Sequence, residues 1–451
     1  MHVISKSEIE KATGIRIAMS GEMRDRIRLW RNMLCNEQSW VSNRVRGLRL
    51  PVKIVDEFAR LILFGASVSV SGSRRGAYID QVLQQTMTDA KKWVRLMCAT
   101  GGVVLRPVYD GHQIRVNYIT ADKIYPISYD DDGRLISAVF LDTYRNGDRF
   151  YHKLEIHEFH PDGTGRIRNQ VFQSPSVDML GDPCSLRQTG LWADLEPERS
   201  YMDLGGPLFA YMCIPAINTV DPDSPMGMSV YAEAVDLIRD ADQHWEKIKW
   251  EFEATQTAID APADFLKPTP SGLILPDTAN RLYRRYNADP SDAQLGLQIF
   301  SPQIRDTSLF HGLDGIFKRI EFNCNLAYGM LSDPQSVEKT AEEVRASRQR
   351  CYSAISDIQG SIRAGLRQLT SAINDCCAVY QLTPQGRYHE CYEFGDGVME
   401  DPDKEFARRM QMHTAGLLSD TKFIAWYFDC DEAKAAEYKA AASTLFAGGD
   451  I

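Results

Sequence analysis

Four stretches of this chain hold residue types that could do chemistry, and each has a plainer reading beside it. Asp130-Asp131-Asp132 could ligate a divalent cation through carboxylate oxygens, but three acids just before Gly133 more simply make a solvated turn. His152, His157 and His160 crowd together as a metal site would, yet strand alternation sends His152 and His160 to one face and His157 to the other. Gly72-Ser-Arg-Arg-Gly76 sets two arginines between two glycines, a shape able to cradle phosphate. No Lys-Ser/Thr follows to complete a P-loop, so a solvated turn is the reading adopted. Arg281-Leu-Tyr-Arg-Arg-Tyr286 offers Arg281, Arg284 and Arg285 to phosphates or to a protein partner, with Tyr283 and Tyr286 available for stacking. No Gly-Lys dipeptide occurs, which excludes a Walker A ATPase. These stretches predict no catalytic residue, no metal and no cofactor, and the chain reads as a non-enzyme.

The elements around them follow from periodicity. Residues 1–98 read as helical, with Met23, Ile27, Trp30 and Leu34 on one helix and Pro51 opening a second. A strand over Ala66–Ser71 follows, then a third helix near Tyr78–Cys98. From Gly101 to Gln173 the period changes to two. Asp110-Gly111, Asp132-Gly133 and Pro161–Gly165 punctuate an antiparallel meander. Residues 174–223 read as connectors around the apolar run Leu208–Ile217. A helix then starts after Asp221-Pro-Asp-Ser-Pro225, apolar along Ala234, Leu237, Ile238, Ala241, Trp245, Ile248 and Phe252. Its other face, Asp236 to Glu253 with Asp242 and Glu251 among the charges, reads as solvated or packed against copies of itself. A Pro-rich insert separates it from a returning helix over Leu309–Ala327, which carries Lys318 and Arg319.

The longest apolar stripe comes next. Pro334 keeps the polar loop Leu331–Glu338 out of a helix. Thr340 stands three residues before Glu343, the spacing of a capping box. Apolar residues then recur from Val344 to Tyr380, which predicts one helix about 60 Å long. Arg345, Arg348, Arg350, Arg363 and Arg367 make it basic. A strand near Tyr388–Phe394 and three short helices starting at Asp401-Pro402, Ser419 and Asp431 complete the chain.

With 451 residues the chain has room for two to three domains. At 44% apolar and 25% charged residues it has the means to build a core, which argues against disorder. The net charge of −10 disfavours tight wrapping of a duplex unless cations gather locally. Ten cysteines without CxxC spacing read as buried thiols of a reducing compartment. The first residues lack a signal-peptide core and no run reaches the length of a membrane span, so a cytoplasmic, non-membrane protein is expected.

The order helix, small insert, returning helix, loop, long basic helix resembles that of tailed-bacteriophage portal proteins. Local strings are similar to the Gram-positive-phage portal family: Asp223-Ser-Pro-Met-Gly-Met-Ser-Val-Tyr-Ala-Glu-Ala-Val-Asp236 before the stem helix, and Lys339-Thr-Ala-Glu-Glu-Val344 at the head of the long helix. Tyr392-Glu-Phe-Gly-Asp-Gly397 and Ala415-Gly-Leu-Leu-Ser419 resemble its C-terminal region. The resemblance implies an α+β, portal-type fold. Its parts would be a wing over 1–223, a stem helix over 224–258, a clip over 259–303 and a second stem helix over 304–330. A tunnel loop over 331–338, the rest of the wing over 339–400 and a helical crown over 401–451 would follow. It implies a homo-oligomeric ring, dodecameric in virions, at one capsid vertex, assembled in the host cytoplasm. Double-stranded DNA would pass through its centre during packaging and ejection. The partners implied are the terminase large subunit, head-completion adaptor or tail proteins, and major capsid and scaffolding proteins. Ser332, Asp333, Pro334, Gln335, Ser336 and Lys339 would border the DNA, and Arg281 to Tyr286 would meet the docking partners. The competing readings are a minor capsid or adaptor protein and a metal-dependent phosphoesterase built on the aspartates and histidines above.

Overall fold

The first helix is fixed by a reciprocal cap at Ser5. Its hydroxyl accepts from the Glu8 N–H while the Glu8 carboxylate accepts from the Ser5 N–H, and α1 runs Lys6–Thr13. The computed structural model of the chain describes residues 4–222, 224–262, 283–286, 298–333, 341–395, 402–428, 430–431 and 434–439. The fold is mixed α+β and divides into two units, Met1–Asp396 and Gly397–Ile451.

In the first unit, α2 (Gly21–Cys35) buries Met23, Ile27 and Trp30, and α3 (Leu50–Ile62) opens with Pro51 in its first turn. Strand β1 (Ser67–Ser71) follows. The single helix expected over Tyr78–Cys98 is two, α4 (Arg74–Thr88) and α5 (Ala90–Thr100), broken at Asp89. The cause lies in Thr86-Met-Thr-Asp89. Both threonine hydroxyls turn back onto backbone carbonyls, Val82 and Gln84, where such residues weaken a helix.

The expected meander is split between two sheets. Strands β2 (Gly102–Tyr109) and β3 (Ile114–Thr120) form the Asp110-Gly111 hairpin. Strands β4 (Ile124–Tyr129), β5 (Leu135–Asn146), β6 (Arg149–Phe159) and β7 (Gly165–Ser174) form the main antiparallel sheet. The connector region is more ordered than its composition suggests. It adds β8 (Asp182–Cys184) and β9 (Glu198–Tyr201) to β7, and β10 (Ala210–Cys213) to β2.

The helix expected from this stretch starts later. Residues 224–231 stay outside it and dock on the body, so α6 covers Val235–Ala254 only. Met226, Met228 and Tyr231 are buried there, and the Tyr231 hydroxyl donates to the Trp30 carbonyl at 2.7 Å. Gly227 is required at this dock. A Cβ on it would lie against the Gly101 carbonyl oxygen and the Ile214 nitrogen, both of them backbone. After α6 come β11 (Ala258–Pro262), β12 (Tyr283–Tyr286) and β13 (Gln298–Phe300), with β11 parallel to β12 and antiparallel to β13. Helix α7 (Asp306–Asn323) returns along α6, and α8 (Ala341–Val379) crosses the body. As its spacing predicts, α8 buries Cys351, Ile355, Ile358, Ile362, Leu366, Leu369 and Ile373. Strand β14 (His389–Glu393) pairs with β1, some three hundred residues away in the chain, a contact no local pattern announces.

In the second unit, α9 (Pro402–Thr414) and α10 (Asp420–Tyr427) are joined at Gly416, whose φ of +73° a side chain would oppose. Ser419 caps α10, and Asp431 caps a short helical stretch over 434–439, as its position predicts.

Replacing Gly227 by Ala should lower stability by about 1–3 kcal/mol, because backbone rather than a movable side chain fills the space. Thermal unfolding followed by circular dichroism checks this; an unchanged midpoint would show that the close approach is not required.

Candidate functional site

The arrangement with most to say about function is the α6–α7 hairpin and the joint that turns it into α8. The two helices run antiparallel and are tied along their length. Arg305 grips Glu251 through Nε and Nη2 at 3.0 and 2.7 Å, His244 Nε2 meets the Leu309 carbonyl at 2.8 Å, and Asn323 donates to the Glu233 carbonyl at 3.0 Å. The insert with β11, β12 and β13 connects their far ends. On this hairpin Trp250, Phe252, Phe310 and Phe322 stay 56, 43, 44 and 50% exposed, and Trp245 and Phe252 flank Phe310 edge-on or tilted.

Two charges that sequence places on the solvated face of α6 are buried instead. Asp242, 1% exposed, accepts from the Trp40 indole at 2.9 Å and the Leu48 N–H at 2.7 Å, and so organises the loop before α3. Glu251 is the buried partner of Arg305.

At the end of α7, Asn325 takes φ +56° and the Leu326 N–H returns to the Glu321 carbonyl at 2.8 Å, the pattern of a Schellman stop. The chain then wraps around the Glu321 side chain. Its Oε1 accepts from the N–H groups of Gly329, Leu331 and Ser332 at 3.1, 2.6 and 2.8 Å, and its Oε2 from the Ser332 hydroxyl at 2.8 Å. Glu321 is fully buried, and this carboxylate is what the local sequence folds around. Tyr328 N–H donates to Ser347 Oγ at 2.9 Å, and Arg350 stacks over Phe322 with its cationic carbon 4.6 Å from the ring centroid. Those contacts fasten the joint to the first turns of α8.

The predicted site residues separate accordingly. Ser332, expected beside DNA, is buried at 4% exposure, its N–H and hydroxyl both donating to Glu321. Asp333 is exposed, with its N–H on Asp314 Oδ1 at 2.9 Å. Pro334, Gln335, Ser336, Lys339, Thr340 and Arg281 lie outside the described residues, and with Thr340 the capping box to Glu343. Glu343 itself stands in the first turn of α8. Tyr283, Arg284, Arg285 and Tyr286 together make β12. Lys318 is half-buried and pairs with Asp314 Oδ2 at 2.8 Å, while Arg319 is exposed. Of the five arginines on α8, Arg350 holds the joint and Arg363 holds the Tyr392 carbonyl at 3.4 Å, so neither is a spare cation.

The aspartates and histidines take their plainer readings, while Gly72–Gly76 is not the solvated turn expected but the start of α4 with Arg75 buried. Asp130 Oδ1 accepts from the Asp132 and Arg134 N–H groups inside the β4–β5 hairpin turn. Arg75 is buried and donates to the Asn374 and Thr383 carbonyls, pinning α4 to the end of α8, while Ser73 caps α4. His152 and His157 are buried apart, His152 Nδ1 on the Thr143 hydroxyl and His157 Nε2 on Glu155 Oε1 at 2.8 Å. Among the described residues no group of three or more His, Cys, Asp or Glu side chains is arranged to hold a metal ion. Nor is any described helix long and apolar enough to cross a membrane.

One charged cluster escaped sequence reading. Glu155 meets Arg106 Nη1 at 2.6 Å, Lys153 Nζ at 2.7 Å and His157, beneath the β2–β3 hairpin. Burial alone would raise its pKa; the Arg106 charge, the His157 hydrogen bond and the Lys153 charge outweigh it and hold the carboxyl well below the usual range. Burial in turn depresses the His157 and His152 imidazoles.

The chain matches no protein-family model and no curated protein.

Two outcomes follow. Glu321→Ala should free the joint, costing about 3 kcal/mol or more as its amide partners lose a buried charged acceptor. Hydrogen exchange at Gly329, Leu331 and Ser332 should accelerate; unchanged exchange would remove Glu321 from that role. The second concerns acid. The folded pKa values of His152 and His157 lie below the ordinary imidazole value, so below about pH 6.5 the unfolded chain binds protons that the folded chain excludes. Their contribution is complete above that pH and declines as pH falls, by up to about 1.4 kcal/mol per unit for each histidine. His152→Gln should therefore flatten the fall in unfolding midpoint between pH 7.5 and 5.5; equal slopes would refute it.

Proposed function

We propose that this chain is a portal-type protein of a tailed phage, a homo-oligomeric ring through which double-stranded DNA moves. The observation that carries the reading is the hairpin of α6 and α7. It is interrupted at its tip by a small sheet and returns into a pinned joint, and the 39-residue α8 follows in the chain. In the portal arrangement these are stem, clip, tunnel-loop base and wing helix, with the second unit as crown. Phe252 and Phe310, tilted against each other and 43 and 44% exposed, are apolar surface that water does not favour, and copies of the same hairpin side by side would cover them. The resemblance in sequence order and the absence of a Gly-Lys dipeptide point the same way, with ATP hydrolysis left to a docked motor. Asp333 and the residues that follow it would then approach the DNA, while β12 would meet the terminase and later adaptor proteins. The location that follows is the portal vertex of the virion.

Negative-stain images and native mass spectra of the purified chain test this directly. Closed rings with an axial hole are expected, and Trp250→Glu with Phe310→Glu should shift the particles toward monomer while the monomer's circular dichroism stays the same. Monomer alone across a wide range of salt and protein concentration would overturn the reading. Filaments would mean that the interface does not close.

A further inference from the structure

An open sheet edge is a row of unpaired N–H and C=O groups, and soluble proteins usually block or cover it. In the body of this chain most edges are so treated. On β1 the Val70 N–H donates to Asp80 Oδ1 at 2.8 Å and the Val68 carbonyl accepts from Gln84 Nε2. On β10 the Tyr211 N–H donates to Gln368 Oε1 at 3.3 Å, and on β14 the Tyr392 carbonyl accepts from Arg363. The main sheet carries a proline on each outer strand. Pro126 of β4 also has its carbonyl capped by the Ala18 N–H, and Pro183 sits in β8. Strand β9 is four residues long and opens with charged Glu198 and Arg199.

Strand β3 is blocked at its first residue and carries Arg115, but its middle is left open. It pairs only with β2. Pro107 stands opposite Val116 and has no N–H to give, so Asn117 and Arg115 carry the ladder while Val116 and Tyr118 direct their backbone groups away from β2. Ile114 fits the same parity, since its N–H donates sideways to the Tyr78 hydroxyl at 2.9 Å. Among the described residues the outward groups of Val116 and Tyr118 have no partner.

This edge borders a groove of about 510 Å³ lined also by Gln85, Thr86, Asp89, Arg106 and Asp142. An extended segment can add to such an edge as a further strand. The charges at the groove are already matched within the chain: Arg106 with Glu155 at 2.6 Å, Arg115 with Asp110 at 2.9 Å, Asp89 with Lys92 at 2.6 Å. A groove neutralised in this way complements an uncharged stretch and adds no repulsion between copies that each carry −10.

We propose that the β3 edge accepts an extended segment of a second copy of this chain, added as a further strand through the Val116 and Tyr118 backbone. The inference rests on the self-assembly proposed above and names one contact within it. A ring contact joins two different surfaces of the same chain, so a groove on one copy and an extended segment on the next suit it.

Hydrogen exchange of the chain, diluted to monomer and then assembled, reads the contact. The Val116 and Tyr118 amides should exchange at least about tenfold more slowly after assembly. Tyr118→Pro removes one outward N–H without touching the β2 ladder, and exposed Gln85→Trp fills the groove from outside the core. Both should raise the concentration needed for assembly by about tenfold, with the monomer's circular dichroism unchanged. Assembly in which both amides exchange as in the monomer, and which Gln85→Trp does not weaken, overturns the inference and leaves the ring reading standing. Protected amides in open polymers uphold the inference and sink the closed ring. A chain that stays monomeric sinks both.

Discussion

The path of the chain between hairpin and body depends on one buried carboxylate. Glu321 lies on the inward face of α7, where an ionised side chain is tolerated only if donors replace the water it has lost. The donors come from the eleven residues that follow it, three backbone N–H groups and one hydroxyl, and they can converge only if α7 stops at Asn325 and the chain doubles back. The same turn carries Tyr328 to Ser347 and sets Phe322 under Arg350. Direction is therefore decided by a charge that must be satisfied, and apolar contacts follow from it. A purely apolar joint of equal size would bury similar area without choosing one path.

Other junctions of the first unit use the same means. Asp242 gathers Trp40 and Leu48 to α6, and Arg75 reaches carbonyls at Asn374 and Thr383. Gln359 of α8 bridges the Ile62 and Gly395 carbonyls, at 3.1 and 3.0 Å. Each lies where segments distant in sequence meet, and each has directional partners. Removing one such side chain leaves buried backbone groups without a partner, a larger loss than the net worth of the bond itself. The body is in this sense specified at its joints, while its helices and sheets draw their stability from a continuous apolar core.

How much of this was legible depends on how local the cause is. The α8 stripe, the Asp110-Gly111 hairpin and the Ser419 and Asp431 caps are written in neighbouring residues and were readable. The break at Asp89 was readable in principle, from two threonines and an aspartate inside a helical stripe. Asp242 and Glu321 look like surface charges until their spacing is checked. Glu321 stands four residues after Phe317 and three before Cys324, and Asp242 four after Ile238 and three before Trp245, all inward positions. A charge at such a position signals a buried acceptor, but its donors lie in loops that no periodicity locates. The burial of Ser332 is hidden for the same reason: a polar residue close to a proline reads as solvent-facing unless the carboxylate it serves is known. The pairing of β1 with β14 and the docking of β10 on β2 are consequences of packing alone and leave no local mark.

The hairpin differs from the body in how its charges are spent. Arg239 pairs with Asp236, Lys249 with Glu246, Arg305 with Glu251 and Lys318 with Asp314, all within the hairpin. A cation already matched by a neighbouring carboxylate attracts a phosphate weakly, because approach of the anion must displace or share that partner. If copies of this hairpin surround a DNA path as proposed, their surface would offer the duplex many dipoles and few free cations, and friction along it would be low. Lys318 illustrates the balance. Its ammonium is held 2.8 Å from Asp314, whose other oxygen fixes the Asp333 N–H at the start of the loop. Lys318 is thus tied, through one aspartate, to the start of the segment proposed to border the DNA.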